Sequence, residues 1–450
     1  MAKKFVCDMT VGNETSLLLK FSLPMLVGNI FQQFYNMVDS IVVGNYVGKN
    51  ALAAVGMTSS LTFFYFALCN GFATGAGVLM SQYFGIKNEK RVKDAIGNSI
   101  YLLIGMGILV SILSVLLARP TLVLLNTPDA IFEDALRYTQ LVCGGMLAVV
   151  IYNGISAMLR ALGDSVTPLI FLIIASVLNV IGDLAFVLIF DMGVAGVAIA
   201  TILAQMLSAV GCIVYAVRKN PYFRLTKENM KPDRMLLKKC MKLGIPFGMQ
   251  GSLIALSCVA LQSIINQFGE NVIAAFTATS RIEQLVQQPY SSLSTAVATF
   301  TAQNLGAGNV KRVKTGFWRS TVIVIVFSLV MCAAMFLWGG QFVHIFVDDA
   351  EVVAIGGRAI RITSLFYIPL GMIYIARSLL NGAGDSMFAF VSGIAEVVGR
   401  VGFSILLSAL PVLGYWAVWY TTGLTWLLTG AVCVLRYAQG KWKKIVLIEE

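Results

Sequence analysis

The sequence predicts an all-α polytopic membrane protein: twelve transmembrane helices in two six-helix lobes related by internal duplication. Three observations predict it. The composition is too apolar for a soluble globule, twelve apolar runs have connections that alternate in basic content, and one ungapped offset superposes the two halves. Of 450 residues, 58% are hydrophobic and only 12% charged, with a mean hydropathy of +0.82. Soluble proteins carry about 25% charged residues, and half that fraction does not cover the surface of a 48.7 kDa soluble fold. At about 20 apolar residues per span, the length leaves room for a dozen spans and short loops but no large extramembrane domain.

The runs lie near 15–43, 51–80, 95–118, 132–159, 167–190, 193–217, 240–267, 272–303, 317–342, 354–380, 387–410 and 412–437. Lys87, Lys90, Arg91 and Lys93 follow the second run, and Arg160 follows the fourth. Arg218 to Lys242 crowd the connection after the sixth, and Lys311, Arg312, Lys314 and Arg319 follow the eighth. The intervening connections are cation-poor and often acidic, as at Asp129, Glu133 and Asp134, or Asp348, Asp349 and Glu351. The positive-inside rule then puts both termini and the 218–242 connection in the cytoplasm. The net charge of +11 is thus an orientation signal whose partner is the lipid bilayer and its anionic head groups. No basic module interleaved with aromatics is present, so no nucleic-acid partner is expected. Lys3 and Lys4 precede the first run as in a signal peptide, but Pro24 interrupts it and no A-x-A site follows, which predicts a retained first helix.

Shifting the chain by 221 residues places SQYFGIKNEKRVK (81–93) on AQNLGAGNVKRVK (302–314). The same shift places LRALGDS (159–165) on LNGAGDS (380–386) and VGKNALAAVGMTS (47–59) on FGENVIAAFTATS (268–280). One offset over this distance indicates duplication, with an amino-terminal lobe at 1–217, a cytoplasmic linker at 218–239 and a carboxy-terminal lobe at 240–450. Six spans per repeat keep both halves in the same orientation, related by an axis along the membrane normal, which is an architecture of transporters that rock around a shared site.

A charge near the bilayer centre costs at least about 2.5–3.5 kcal/mol and is usually paired or functional. Asp39 lies deep in the first span, and Gln32, Tyr35 and Asn36 share its helix face. These three are the candidate substrate contacts of that helix, and Pro24 gives it a natural bend point. Asp183 lies in the fifth span one turn after Asn179, and Thr201 in the sixth offers a hydroxyl. Two carboxylates, an amide and a hydroxyl form a hard-oxygen set suited to a proton or Na⁺ rather than zinc. The carboxylates also repel in low dielectric, so the pair favours taking up a cation. The alternative is that each aspartate only bonds a neighbouring helix.

The second repeat does not copy this set: Arg400 replaces Asn179, Ser404 replaces Asp183, and an apolar residue stands opposite Asp39. Glu396 and Arg400, four apart, predict a salt bridge within one helix. Glu283 in the eighth span either attracts a cationic substrate or pairs with Arg400 across helices. With one histidine, His344, no multi-histidine metal site exists. The eight scattered cysteines, without a CxxC, read as small buried hydrophobes. No HExxH or GxSxG motif suggests an enzyme.

The six-plus-six duplication, NMVDSIVVG in the first span, LRALGDSVTP with its partner LLNGAGDS, and AQNLGAGNVKRVK resemble the multidrug and toxic compound extrusion (MATE) family. NVIGDLAFV in the fifth span is similar to the DinF-like prokaryotic branch. The resemblance implies a cation-site role for Asp39, Asn179, Asp183 and Thr201 and adds Tyr138 in the fourth span. Other members use acidic ligands in the seventh and tenth spans, where this sequence has none (240–267 and 354–380). It further implies a monomer in a prokaryotic plasma or inner membrane, with no cofactor. Such a protein exports small, often cationic organic compounds in exchange for H⁺ or Na⁺ through an inward V-shaped or outward-open pair of lobes. The related flippases of lipid-linked oligosaccharides are the competing function.

Overall fold

The computed structural model describes residues 7–125, 127–445 and 447, which form fourteen α-helices with short π and 3₁₀ turns and no strand. The helices are α1 (Glu14–Val42), α2 (Lys49–Gly85), α3 (Glu89–Leu124), α4 (Asp129–Gly144), α5 (Met146–Ala161), α6 (Val166–Leu184) and α7 (Gly193–Lys219). They continue as α8 (Arg234–Ile265), α9 (Glu270–Gly306), α10 (Val310–His344), α11 (Ala350–Ser364), α12 (Tyr367–Ala383), α13 (Ser386–Ser408) and α14 (Ala417–Ala438).

Fourteen helices make twelve spans because two spans are broken. α4 and α5 meet at a 43° bend and α11 and α12 at a 51° bend. The first break falls at Gly144 and Gly145, where a side chain on Gly145 would strike Ile202. The second precedes Pro369, which has no N–H for the Leu365 carbonyl and whose ring crowds it. Eight single helices are apolar and long enough to cross a membrane, and the bent pairs bring the number to ten. The last two spans, α1 and α9, miss that measure because each carries its polar face into the membrane: Gln32 to Asp39 on one, Arg281 to Gln288 on the other.

The duplication extends to the backbone. Adding 221 to the bounds of α2 gives the bounds of α9, and the other pairs agree within a few residues. Positive φ recurs at the same offset, at Gly48 and Gly269, Gly163 and Gly384, and Gly193 and Gly414. The end of α5 shows why: the turn into α6 runs through Gly163 at φ 86° and the turn into α13 through Gly384 at φ 85°, a left-handed conformation that glycine adopts without strain. The aspartates that follow have different partners. Asp164 caps α6 by accepting from the Val166 and Thr167 amides (3.1 and 2.9 Å), whereas Asp385 accepts from Arg436 Nε at 2.8 Å.

The chain divides into two compact units, one built on Leu23–Ser252 and the other on Leu253–Val446 with Thr10–Ser22. Both boundaries fall inside helices, α1 and α8. In the second unit Arg312 holds the start of α1, donating to Glu14 Oε1 (2.9 Å) and to the Gly12 carbonyl (2.6 Å). Its copy in the first unit, Arg91, holds the start of α8 by donating to Asp233 Oδ2 at 3.1 Å. The segment before α8 is tied to α3 throughout. Asn229 donates to Asp94 (2.8 Å), Asn98 donates to the Lys231 carbonyl (3.2 Å) and Tyr101 donates to the Met230 carbonyl (2.8 Å). The Lys90 ammonium also holds the Glu228 carboxyl below its usual range, although so exposed a pair adds little stability.

Within the first unit α2 and α8 touch backbone to backbone. A Cβ on Gly71 would stand 2.1 Å from the Gly248 nitrogen, and one on Gly75 would stand 2.9 Å from the Gly244 nitrogen. Small residues four apart on both helices permit this approach. Backbone cannot move aside as a side chain does, so Gly71→Ala is expected to cost about 3 kcal/mol, at the upper end of overpacking effects. Gly56→Ala in the same helix, with nothing within 4 Å of its Cβ, is expected to stabilise by about 0.5–1 kcal/mol. Thermal unfolding of the two purified variants checks both; equal midpoints would refute the packing argument.

Candidate functional site

The first unit brings four helices to one polar centre. Asp39 comes from α1, Tyr138 from α4, Asn179 and Asp183 from α6, and Thr201 from α7. Asn179 and Asp183 are 2% and 0% exposed. The Asn179 amide donates to Asp183 Oδ1 (3.4 Å) and to Thr201 Oγ1 (3.3 Å), while the Thr201 hydroxyl donates to the Val197 carbonyl (3.0 Å). Asp39 and Asp183 lie within hydrogen-bonding reach of each other. Tyr35 and Tyr138 are close enough to feel both carboxyls, and Gln32 contacts the Tyr35 hydroxyl. Asn36, expected on the same face, is exposed, and its carbonyl accepts from Ser40 Oγ at 3.0 Å.

The Asn179 and Thr201 donors of this centre are engaged, whereas three of its acceptors are not. Asp39 Oδ1, Asn179 Oδ1 and Asp183 Oδ2 are buried with no hydrogen-bond partner. A buried acceptor left unmade costs about 1–3 kcal/mol, and more when charged. Three convergent oxygens and two carboxyls therefore form a set that a proton or a small hard cation completes.

The backbone around the aspartates is also unusual. α1 runs into a π-helical turn at Val43–Val47, and α6 into another at Ala185–Ile189. Single π turns commonly lie at functional sites. Valines of the two turns and of α7 pack together with Tyr138 against them. At the corresponding places the second repeat has a 3₁₀ turn after α8 and an unbroken α13. Pro24 stands near the start of the α1 segment that belongs to this unit, on the approach to Asp39.

The second unit holds a different cluster. Glu396 accepts from Arg400 Nη2 (3.2 Å) on its own helix and from Arg377 Nη2 (2.9 Å) on α12. Arg400 Nη1 also donates to Ser257 Oγ (3.1 Å) and Cys258 Sγ (2.6 Å) on α8. The expected Glu396–Arg400 bridge is present, and Arg377 joins it. Sequence reasoning missed Arg377, although a lone arginine inside an apolar run carries the same signal as Asp39. Glu283 feels Arg400 but is not in contact with it as an ion pair; it bonds Thr363, and its Oε1 is buried without a partner.

The MatE family model matches residues 24–185 and, a second time, residues 246–406. The chain belongs to the MatE family. Its relatives include the "Probable multidrug resistance protein YpnP" of Bacillus subtilis, 31% identical over 98% of this chain and 99% of that protein. The "Probable multidrug resistance protein YoeA" of the same organism is 28% identical over 94% and 93%. Among solved structures, one described as an outward-facing conformation of a multidrug resistance MATE family transporter superposes with a TM-score of 0.91. It is 23% identical and covers 98% of this chain and 99% of that one, which establishes the shared fold. MATE proteins are membrane transporters rather than enzymes, and this chain is a multi-pass member of that family.

Removing one member of a buried ion pair leaves the other uncompensated and costs about 3–5 kcal/mol. Glu396→Ala, which strands Arg377 and Arg400 together, is expected to lose that much stability. Glu283→Gln, at a carboxyl outside direct ion-pair contact, is expected to change it by less than about 1 kcal/mol. Unfolding midpoints in detergent distinguish the two; a Glu396→Ala protein as stable as wild type would contradict the pairing.

Proposed function

We propose that this MATE protein is a secondary active antiporter that exports organic, often cationic, compounds in exchange for H⁺ or Na⁺. The observation that carries the reading is the centre of Asp39, Asn179 and Asp183, in which one oxygen of each side chain is buried without a hydrogen-bond partner. The names of the two Bacillus subtilis relatives, both probable multidrug resistance proteins, support the substrate class. Both termini face the cytoplasm in this reading, from the alternation of basic connections, and the chain acts as a monomer with no cofactor.

Asp39 and Asp183 take up the cation from outside, with Asn179, Thr201 and Tyr138 around it. Neutralising the pair removes the repulsion between α1 and α6 and lets α1 repack about Pro24. Repacking disturbs the face that carries Gln32, Tyr35 and Asn36, and the substrate leaves outward. When the cation departs to the cytoplasm, the exposed carboxyls favour the next cationic substrate. Glu283 offers a further carboxyl to a substrate amine in the second unit. A coupling ion drives this cycle only by binding one conformation better than the other; reversing a 1:99 population needs about 10⁴-fold discrimination.

A flippase of lipid-linked oligosaccharides is the second reading, because it would need a cationic lining for pyrophosphate and Arg377 and Arg400 are both present. Glu396 already accepts from both, which favours the antiporter.

Inside-out vesicles loaded with ethidium, given a proton gradient and a sodium gradient separately, test the proposal. Wild type is expected to transport under one gradient, and Asp39→Asn to insert normally yet lose at least about tenfold in coupled flux, the effect of about 1.4 kcal/mol of lost differential binding. Full coupled flux in Asp39→Asn would sink the ion assignment. No flux in wild type under either gradient would move the substrate to a lipid or metabolite.

A further inference from the structure

Between the ion centre and the end of the first unit that carries Arg160, α5 and α7 pack side by side; a Cβ on Gly145 would stand 2.4 Å from Ile202. Both helices put polar side chains at successive turns. On α7, Gln205, Ser208 and Cys212 follow Thr201 of the ion centre, and on α5 Tyr152, Ser156 and Arg160 follow one another. Gln205, Ser208, Cys212, Tyr152 and Ser156 are all buried.

These residues connect to the ion centre at one end and to charged groups at the other. Tyr35, which feels Asp39 and Asp183, is in turn felt by Tyr152. Ser156, Cys212 and Arg160 lie beside Tyr152, and Arg160 and Asp164 lie near Cys212. The Asp164 carboxyl is fully engaged, accepting from the Val166 and Thr167 amides and from the Thr167 hydroxyl at 2.6 Å. Arg160 is not: unlike Arg91, Arg312, Arg377, Arg400 and Arg436, it forms no ion pair among the described residues.

The hydroxyls along this seam are unusual. Ser114 and Ser176 in the same unit return to their own helices, donating to the Val110 and Leu172 carbonyls at 2.6 and 2.8 Å. Ser156 Oγ, Ser208 Oγ and Gln205 Oε1 are buried with no partner. Polar atoms in that position are met by ordered water, which needs two to four polar neighbours, and facing turns of α5 and α7 offer them.

We propose that the α5–α7 seam, lined by Tyr152, Ser156, Gln205 and Ser208 and their bound water, is the route by which a coupling proton leaves the Asp39 centre for the cytoplasm. The inference rests on the antiport reading and names its ion. Each hydroxyl or water gives up one proton as it takes one, so the relay is unchanged after every transfer, and the last proton goes to cytoplasmic water. Na⁺ sheds its water only where oxygens replace the hydration shell, and the seam has no free carboxylate to help form such a cage. The Arg160 guanidinium, always charged, further opposes a resident cation at the exit.

Threonine and valine have the same shape and differ in the hydroxyl, so two double variants test the route. Ser156→Val with Ser208→Val is expected to keep wild-type ethidium affinity and equilibrium proton uptake in nanodiscs. Its proton-driven ethidium flux in inside-out vesicles is expected to fall at least about tenfold. Ser156→Thr with Ser208→Thr is expected to retain wild-type flux. Wild-type flux in the valine variant, an equal loss in the threonine variant, or lost proton uptake in the valine variant overturns the route. Wild type driven by a sodium gradient and not by a proton gradient also overturns it and leaves antiport standing. No wild-type flux under either gradient sinks the antiport reading, and the proposal with it.

The wild-type chain supplies a second measurement that does not depend on how the variants fold. Hydroxyl radicals generated by X-rays mark side chains next to bound water. Tyr152 and Cys212 are expected to react several-fold faster than Tyr290 and Cys240, which are also buried but bond Ser328 and Ser99 within the protein. Equal rates would mean a dry seam and would overturn the proposal.

Discussion

An ionised side chain in hydrocarbon must be neutralised or it expels the helix that carries it, and this constraint organises both units. The second unit meets it internally, with Glu396 accepting from Arg377 and Arg400. The first unit does not. Its carboxyls have a partially donated amide and a threonine between them, and three oxygens left over. In the proposed function a mobile cation completes that centre. The two repeats thus differ in how charge is met: ion pairs in the second, and carboxyl and amide oxygens without partners in the first.

The backbone adjusts to the same requirement. A π turn after each aspartate-bearing helix changes the register of the following residues, and the valines of the two turns pack together as one apolar plug beside Tyr138. Neither turn recurs in the second repeat. The polar faces of α1 and α9 have a similar cost: they lower the hydropathy of both helices below that of their neighbours. Close packing offsets part of that cost, as at the glycine crossing of α2 on α8.

Much of this was legible in the sequence, for identifiable reasons. Span positions follow from hydropathy, which the bilayer imposes on every residue of a helix. The duplication follows from motifs at turns, where glycine at positive φ resists substitution, as at Gly163 and Gly384. Asp39 and Asp183 stand out because carboxyls are rare in such runs. Other features depend on contacts that no single helix encodes. The match of Gly71 to Gly248, the breaks at Gly145 and before Pro369, and the π turns need the neighbouring helix to be known. The unit boundaries within α1 and α8 were invisible for the same reason: hydropathy does not change where Arg312 and Arg91 take hold of each helix start.

Duplication gives two copies of a site, and the sequence of each copy then decides how charge is handled there. Asn179 and Arg400 occupy the same place in the frame, yet one is neutral and donates to a carboxyl, whereas the other brings its own positive charge. In the second copy the helices are joined by ion pairs and hydrogen bonds of Glu396, Arg377 and Arg400. The first copy instead holds two carboxyls with no cationic side chain bonded to either. That is the copy in which Asp39 lies on a helix interrupted by Pro24 and followed by a π turn, two places where the regular i→i−4 hydrogen-bond pattern is broken.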